Sequence, residues 1–367
     1  MNDVLYNRIY NILSGRQSRS VEANELYAVG SIIGSVRNRN EDVGALVKIR
    51  HGRASSNDFT VALVCDGMGG MSDGRVAALI AASSFLSAIL RVDRSSGVKR
   101  AINFALNAAQ RAVYDELRGN GGTTLSAVYL DASSEAWFVH VGDSRIYEIR
   151  AGIELRQISR DDTIGAALQR HHQENRPDNN RLIQFVGLDG ELDPQLLPIE
   201  KASVNGFLLT SDGAHSPSSE ILATIVKHSK SGPELVRKLL NVADALGGLD
   251  NATAVHIPVA TEIKNRDQFE RSAHDDLVAS ILCSSGQHDI WFAQPPFRDA
   301  VSRSPSSEIH RERNVKPFVD LPEKNKSPKK PKQSKANKKD QRSDELPLGV
   351  DKPIAKLDFS DGGDGTP

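Results

Sequence analysis

The feature that most constrains this chain is a short stretch, FTVALVCDGMGG (Phe59–Gly70), in which an apolar run ends abruptly in a carboxylate. Phe59–Cys65 is almost wholly apolar and rich in β-branched residues, which predicts a strand buried on both faces. A fold containing such a strand must cover both faces of its sheet, so sheets and helices are expected in layers. Asp66 and the glycines after it form an ordinary turn signal, and the stretch alone leaves open whether the carboxylate does anything else.

Composition limits what this layered protein can bind. The 367 residues carry a formal net charge of −1, with 39% hydrophobic and 25% charged residues, which gives no overall attraction to nucleic acid or membrane. The two cysteines, Cys65 and Cys283, lie far apart, so neither a disulfide framework nor a cysteine-rich zinc site is expected and a cytoplasmic location is predicted. The N-terminus lacks the apolar core of a signal peptide. The longest apolar segment, Val76–Leu90, is interrupted by serines and predicts a core helix.

Short strand-like runs alternate with paired helices over the first two thirds of the chain, which predicts an α+β fold. Apolar periodicity predicts helices over 73–91, 98–117, 220–227 and 233–246. The predicted strands are Val29–Gly34, Val43–Ile49, Phe59–Cys65, Thr123–Leu130, Ala136–Val141, Ile146–Ile149, Phe207–Thr210 and Ala252–Val259.

The chain divides into three predicted regions: an N-terminal extension over 1–27, a folded domain over 28–261 and a mostly disordered tail over 262–367. The tail contains a lysine-rich linker, 322–342, whose low apolar content cannot offset the entropy of ordering it. Nucleic-acid binding by this linker is the less favoured hypothesis, because its lysines lack interleaved aromatic residues. Short apolar segments of the tail, around 277–282, 290–292 and 357–359, are candidate docking segments for a partner.

Five aspartates stand at the ends of predicted strands. If these carboxylates converge at one end of layered sheets, they repel one another unless protons or cations neutralise them. Oxygen ligands of this kind select Mg²⁺ or Mn²⁺ over zinc or copper. Two such ions beside an arginine are suited to phosphoester hydrolysis. The five residues are Asp42, Asp66, Asp143, Asp212 and Asp250.

The order of these motifs along the chain resembles that of the metal-dependent serine/threonine protein phosphatases of type 2C, and their wording resembles the bacterial branch. Each motif alone is weak, but six in the family's order form a specific signal over about Gly30–Val259. The motifs are GSVRNRNED (Gly34–Asp42), CDGMGG (Cys65–Gly70), GGTTLSAVYL (Gly121–Leu130), VGDSRIYEI (Val141–Ile149), LLTSDG (Leu208–Gly213) and DNATAVHI (Asp250–Ile257).

The resemblance implies a two-sheet β-sandwich flanked by paired helices. It also implies hydrolysis of phosphoserine and phosphothreonine on proteins by a metal-activated water, with two Mn²⁺ or Mg²⁺ ions and a weaker third. It assigns Asp66 as the catalytic bridge between two ions, with the Gly67 carbonyl, Asp212 and Asp250 completing the coordination of these ions. Glu41 and Asp42 would bind them through waters. Asp143 would bind the third ion.

The resemblance also assigns Arg37 to the substrate phosphate, for which a guanidinium offers paired donors. Three departures from the family pattern bear on the chemistry. Ser216 replaces a common aspartate, which weakens the case for the third ion, and Met68 replaces a histidine of animal members, so another group must protonate the leaving group. Arg75 replaces a common acid and is expected at a helix start away from the metals. The lone His215 is expected at the surface, without a catalytic role.

A different class of function stays open at this point: a catalytically weak phosphatase-like module that binds or regulates. The complete set of aspartates argues against it and Ser216 argues for it. Under the enzymatic hypothesis the partners are phosphorylated proteins, a cognate serine/threonine kinase and a protein that binds the tail. No membrane partner is expected.

Overall fold

The computed structural model describes residues 3–15, 19–23, 27–51, 57–68, 73–132, 135–152, 154–169, 180–200, 203–259 and 277–292. These residues belong to one compact unit, Met1–Arg303. The predicted linker at 322–342 and the docking segment at 357–359 lie outside the described residues.

Two antiparallel sheets form the centre of the described structure. One sheet has the order β1-β2-β11-β10-β7-β8 and the other β13-β12-β3-β4-β5-β6-β9. The strands are β1 (Arg19–Ala23), β2 (Ala28–Ile32), β3 (Val43–His51), β4 (Phe59–Cys65), β5 (Leu125–Asp131), β6 (Ala136–Val141), β7 (Arg145–Arg150), β8 (Leu155–Gln157), β9 (Gln195–Pro198), β10 (Val204–Thr210), β11 (Ala252–Pro258), β12 (Leu277–Cys283) and β13 (Gly286–Phe292).

Helices cover the outer faces of both sheets. No helix within the described ranges is long and apolar enough to cross a membrane. The helices are α1 (Val4–Leu13), α2 (Gly74–Ile89), α3 (Val98–Leu117), α4 (Ile164–Gln169), α5 (Asp212–His215), α6 (Ser219–Lys227) and α7 (Gly232–Ala245), with a 3₁₀ turn at Arg94–Ser96.

Strand β4 shows why the sequence forms layers. All seven of its residues are buried, and alternate side chains enter different cores. Leu63 and Cys65 face the helices α1–α3, whereas Ala62 and Val64 face the six-stranded sheet. A third core lies between the six-stranded sheet and helices α5–α7. The prediction of an α+β sandwich flanked by helices is therefore confirmed.

The predicted domain boundary at residue 261 is wrong, because the chain returns to the sheet after it. Strand β12 pairs with β3 from Leu277 to Cys283, and β13 pairs with β12. Ile281 and Ile290 of this hairpin are buried in the same core as helices α1–α3. The apolar residues interpreted as a docking segment thus complete the edge of the domain, although Trp291 remains exposed.

The predicted N-terminal extension over 1–27 also belongs to the folded unit. Helix α1 buries Leu5, Ile9 and Leu13 in the core that it shares with α2. The Ser285 hydroxyl, in the turn of the β12–β13 hairpin, donates to the Ile12 carbonyl at 2.9 Å. The two ends of the described chain therefore pack together on one side of the seven-stranded sheet.

Candidate active site

Asp66 lies where the buried strand β4 ends, and its backbone is fixed by two threonines of the GGTT motif. Its amide donates to Thr124 Oγ1 at 2.9 Å, and its carbonyl accepts from Thr123 Oγ1 at 2.8 Å. The Thr124 hydroxyl also contacts Ser144 Oγ at 2.7 Å. The two residues that precede strand β5 therefore fix the backbone of Asp66 at the end of β4.

Adjacent carboxylates lie close enough to Asp66 to change its ionisation. The Asp212 amide approaches Asp66 Oδ2 at 3.4 Å. Burial raises the pKa of Asp66 well above its usual range, and the charges of Asp42, Asp212 and Asp143 raise it further. Burial and the charge of Asp250 also raise the pKa of Asp212. This is the mutual repulsion that the sequence predicted for converging aspartates.

Asp42 and Asp143 interact with the same carboxylates, because the charges of both raise the pKa of Asp66. Burial raises the pKa of each to about 7, and the charge of Asp212 contributes in both cases. Asp42 is only 3% exposed and accepts a hydrogen bond from Ser211 Oγ at 2.7 Å. Buried carboxylates of this kind are stable only when protonated or paired with positive charge.

Arg37 and Asp250 form an ion pair at the mouth of the cluster. Arg37 Nη2 lies 2.7 Å from Asp250 Oδ2, and the two side chains are 41% and 32% exposed. The hydrogen bond to Asp250 raises the pKa of Arg37, and Glu41 and Asp212 contribute by charge. Burial raises the pKa of Glu41. A partly exposed guanidinium thus lies beside these carboxylates, where a phosphate can reach it.

Gly67 lies in a space that only a glycine can occupy. A Cβ there would lie 2.3 Å from the Gly74 carbonyl oxygen and 2.8 Å from that of Glu41. The backbone after Asp66 can therefore approach the start of α2 and the loop before β3 closely. The use of the Gly67 carbonyl as a ligand stays a prediction, and Gly69 and Gly70 lie outside the described residues.

Two residues that the sequence analysis did not single out hold the site together. Asn251 Nδ2 donates to the carbonyls of Ile33 and Arg39, and its Oδ1 accepts from the Glu41 amide, each at 2.8 Å. Ser211 Oγ accepts from the Thr253 amide at 2.9 Å while donating to Asp42. In the sequence, the only indication of this role is that each of the two polar residues lies next to a predicted metal ligand at the end of a strand.

Arg75 and His215 are placed differently from expectation. Arg75 begins helix α2 as predicted, but its guanidinium donates to the Asp42 carbonyl at 2.5 Å and to the Leu13 carbonyl at 3.1 Å. It therefore contacts the segment that carries a predicted ligand. His215 is buried rather than at the surface, with Nδ1 3.0 Å from Thr210 Oγ1. Burial holds the pKa of His215 well below its usual range, so the ring is neutral.

The described oxygen donors fit divalent cations by their chemistry, although they are engaged by protein donors. Asp250 accepts from Arg37 and Asp42 accepts from Ser211. Among the residues that the structure describes, no three His, Cys, Asp or Glu side chains are already gathered as a ligand group. What the fold does bring to one place is a set of buried and partly buried carboxylates, with Arg37 paired to one of them.

Comparison with known proteins shows which family this chain resembles. The family model for protein phosphatase 2C matches residues 44–249, more than half of the chain. This match contains Asp66, Gly67, Asp143 and Asp212, and its bounds exclude the loop with Arg37.

Two bacterial relatives and one solved structure share this part of the chain. The serine/threonine protein phosphatase PstP of Mycobacterium tuberculosis is 33% identical over an alignment of 221 residues that covers 55% of this chain and 42% of PstP. The chain thus spans about two fifths of that relative's length. The serine/threonine phosphatase stp of Listeria welshimeri is 27% identical over an alignment of 250 residues that covers 64% of this chain and 96% of stp.

A crystal structure of the PstP catalytic domain with two manganese ions superposes with a TM-score of 0.52. It is 29% identical and covers 65% of this chain and 99% of that one. The match of the family model, the two-sheet fold and the ordered motifs lead to one conclusion: the chain belongs to the protein phosphatase 2C family.

Proposed function

We propose that this protein is a metal-dependent phosphatase that removes phosphate from serine and threonine residues of proteins, countering a serine/threonine kinase. The observation that carries the proposal is the cluster of Asp42, Asp66, Asp143 and Asp212, whose pKa values are raised by burial and mutual repulsion. Neighbouring carboxylates with perturbed pKa values are typical of a catalytic site. Family membership and relatives named as serine/threonine phosphatases support the same activity.

Mn²⁺ or Mg²⁺ is the proposed cofactor, with two ions held by Asp66, the Gly67 carbonyl, Asp212 and Asp250. Glu41 and Asp42 would act through waters, and Asp143 would hold a third ion. The PstP structure with two manganese ions supports this assignment by family relationship. Bound divalent cations supply an activated water and the positive charge that offsets the phosphate oxygens.

The residues of the chain contribute orientation and charge. Asp66 projects from a turn that Thr123 and Thr124 fix, so its carboxylate is held at the centre of the cluster. Arg37 faces the opening and, on exchanging its contact with Asp250, offers two N–H donors to a phosphate. Buried His215 has its Nδ1 engaged by Thr210 and is not proposed as the proton donor.

A phosphothreonine peptide tests the proposal. Phosphate release should require Mn²⁺ or Mg²⁺ and stop when EDTA is added. The Asp66→Asn variant should lose about a thousandfold or more in kcat, because it removes charge from the centre of the site. A matched control is Asp115→Asn, since Asp115 is 71% exposed on helix α3. This control should keep wild-type turnover.

The opposite results are equally clear. Full activity in EDTA would contradict the metal-dependent mechanism. Phosphopeptide binding without turnover in any divalent cation would instead favour the phosphatase-like binding module. Isothermal titration of Mn²⁺ into wild type and Asp66→Asn adds a readout that does not depend on turnover.

A further inference from the structure

Two exposed apolar side chains flank the proposed phosphate-binding arginine. Val36, immediately before Arg37, is 61% exposed, and Leu249, immediately before Asp250, is 72% exposed. Single exposed apolar residues are common on protein surfaces and need no explanation. These two differ because each adjoins one partner of the ion pair at the mouth of the site.

The backbone contacts show that the two side chains lie on neighbouring loops. The amides of Ser35 and Val36 both donate to the Gly248 carbonyl, at 2.7 and 3.3 Å. A Cβ on Gly34 would lie 2.4 Å from the Asp250 carbonyl oxygen, so the loops are in close contact. The segment 34–37 therefore runs beside the segment 247–250, and Val36 and Leu249 are exposed residues of these two adjacent segments.

These loops are held firmly enough to present the side chains in fixed positions. Asn251 joins both ends of the first loop through the carbonyls of Ile33 and Arg39 and the amide of Glu41. The second loop continues from the end of helix α7, where the Gly247 and Gly248 amides donate to helix carbonyls. A surface fixed before binding loses little conformational entropy when a ligand covers it.

We infer that Val36 and Leu249 form an apolar rim that selects phosphoprotein segments with an apolar residue close to the phosphorylated one. This inference rests on the proposed function, because it takes Arg37 as the phosphate anchor. An extended substrate advances about 3.3 Å per residue, so residues one to three positions from the phosphate lie within about 10 Å of it. An apolar residue there can cover the rim, whereas a charged or polar residue gains nothing from doing so.

Charge supports a phosphorylated segment as the occupant. Arg37 and Arg39 are both exposed on the first loop, so the rim adjoins two positive groups. A segment carrying one phosphate and one apolar side chain complements this pairing of charge and apolar surface. A purely apolar partner would bring no negative charge to these two exposed arginines.

The test is a set of phosphothreonine peptides in which one leucine moves from three residues before the phosphothreonine to three residues after it. A matched set carries serine at each of those positions. For at least one position, kcat/KM should be roughly tenfold higher with leucine, as expected from partial burial of one such side chain. The combined Val36→Thr and Leu249→Asn substitutions keep approximate shape but remove apolar surface, and they should reduce the ratio to about twofold or less.

The control variant is Trp291→Ser. Trp291 is 62% exposed, similar to Val36, but it pairs across β12 with Arg50, at the far end of strand β3 from Asp42. This variant should keep the tenfold preference.

An unchanged preference in the double variant, or none in the wild type, would overturn the inference. So would loss of the preference in the control. The serine-containing phosphothreonine peptides distinguish failure of the proposed function from failure of this inference: if the wild type hydrolyses neither them nor the leucine peptides with Mn²⁺, the proposed function is refuted and this inference with it. If hydrolysis is normal and only the leucine preference is missing, the proposed function stands and the rim does not.

Discussion

Replacing Asn251 with alanine tests how the site loop is held. Asn251 is 4% exposed and makes three hydrogen bonds of 2.8 Å to Ile33, Arg39 and Glu41. Each such bond contributes about 1 kcal/mol net. The substitution should therefore lower the free energy of unfolding by about 3 kcal/mol, because it leaves two carbonyls and one amide without their partner.

The effect should be visible as both lost stability and lost loop order. For a domain of this size, about 3 kcal/mol corresponds to a fall in Tm of about 6–12 °C. The Glu41 amide should also exchange with deuterium faster, since its acceptor is gone. Thermal unfolding followed by circular dichroism and hydrogen exchange followed by mass spectrometry measure these two quantities.

Asn205→Ala provides the matched control for Asn251→Ala. Asn205 is exposed, and its Nδ2 makes a 3.4 Å contact with the Arg150 carbonyl. Its removal should cost less than about 0.5 kcal/mol. If Asn251→Ala were as mild as this control, the three hydrogen bonds would not be holding the loop, and the reasoning would be refuted.

Three further outcomes follow from the structure. Arg37→Ala should raise KM for a phosphopeptide by about tenfold and change kcat less, since it removes a phosphate contact; an equal loss in both kcat and kcat/KM would contradict this. Arg75→Gln should speed hydrogen exchange in helix α1, because it removes the donors that connect the end of this helix to the residue before β3. The control Arg8→Gln, which loses only a 3.4 Å contact with the Asp289 carbonyl, should leave this exchange unchanged. A chain ending at residue 261 should be poorly soluble and one ending at residue 303 should fold normally; equal stability of the two would show that the β12–β13 hairpin is dispensable.

The sequence alone determined the elements whose pattern is local. The apolar run Phe59–Cys65 was predicted with the bounds that β4 has, because a strand buried on both faces admits almost no polar residue. The apolar face of α3 was predicted from its spacing, and Ile102, Leu106 and Val113 are buried as that spacing requires. The aspartates at strand ends were also predicted from the sequence, because a carboxylate directly after an apolar run fits neither a buried strand nor the apolar face of a helix.

Tertiary structure decided what depends on distant partners. Leu277–Cys283 reads as an isolated apolar segment, and only its pairing with β3, over 200 residues earlier, makes it a strand of the domain. The pairing of two strands so far apart in sequence leaves no local signal. The residues around β12 do not indicate that the edge of β3 is free to pair with this strand. Likewise, Asn251 is an ordinary polar residue in the sequence. Its importance comes from three backbone groups that the fold brings within 2.8 Å of its side chain, and hydrogen bonds of this kind exist only once the loops have met.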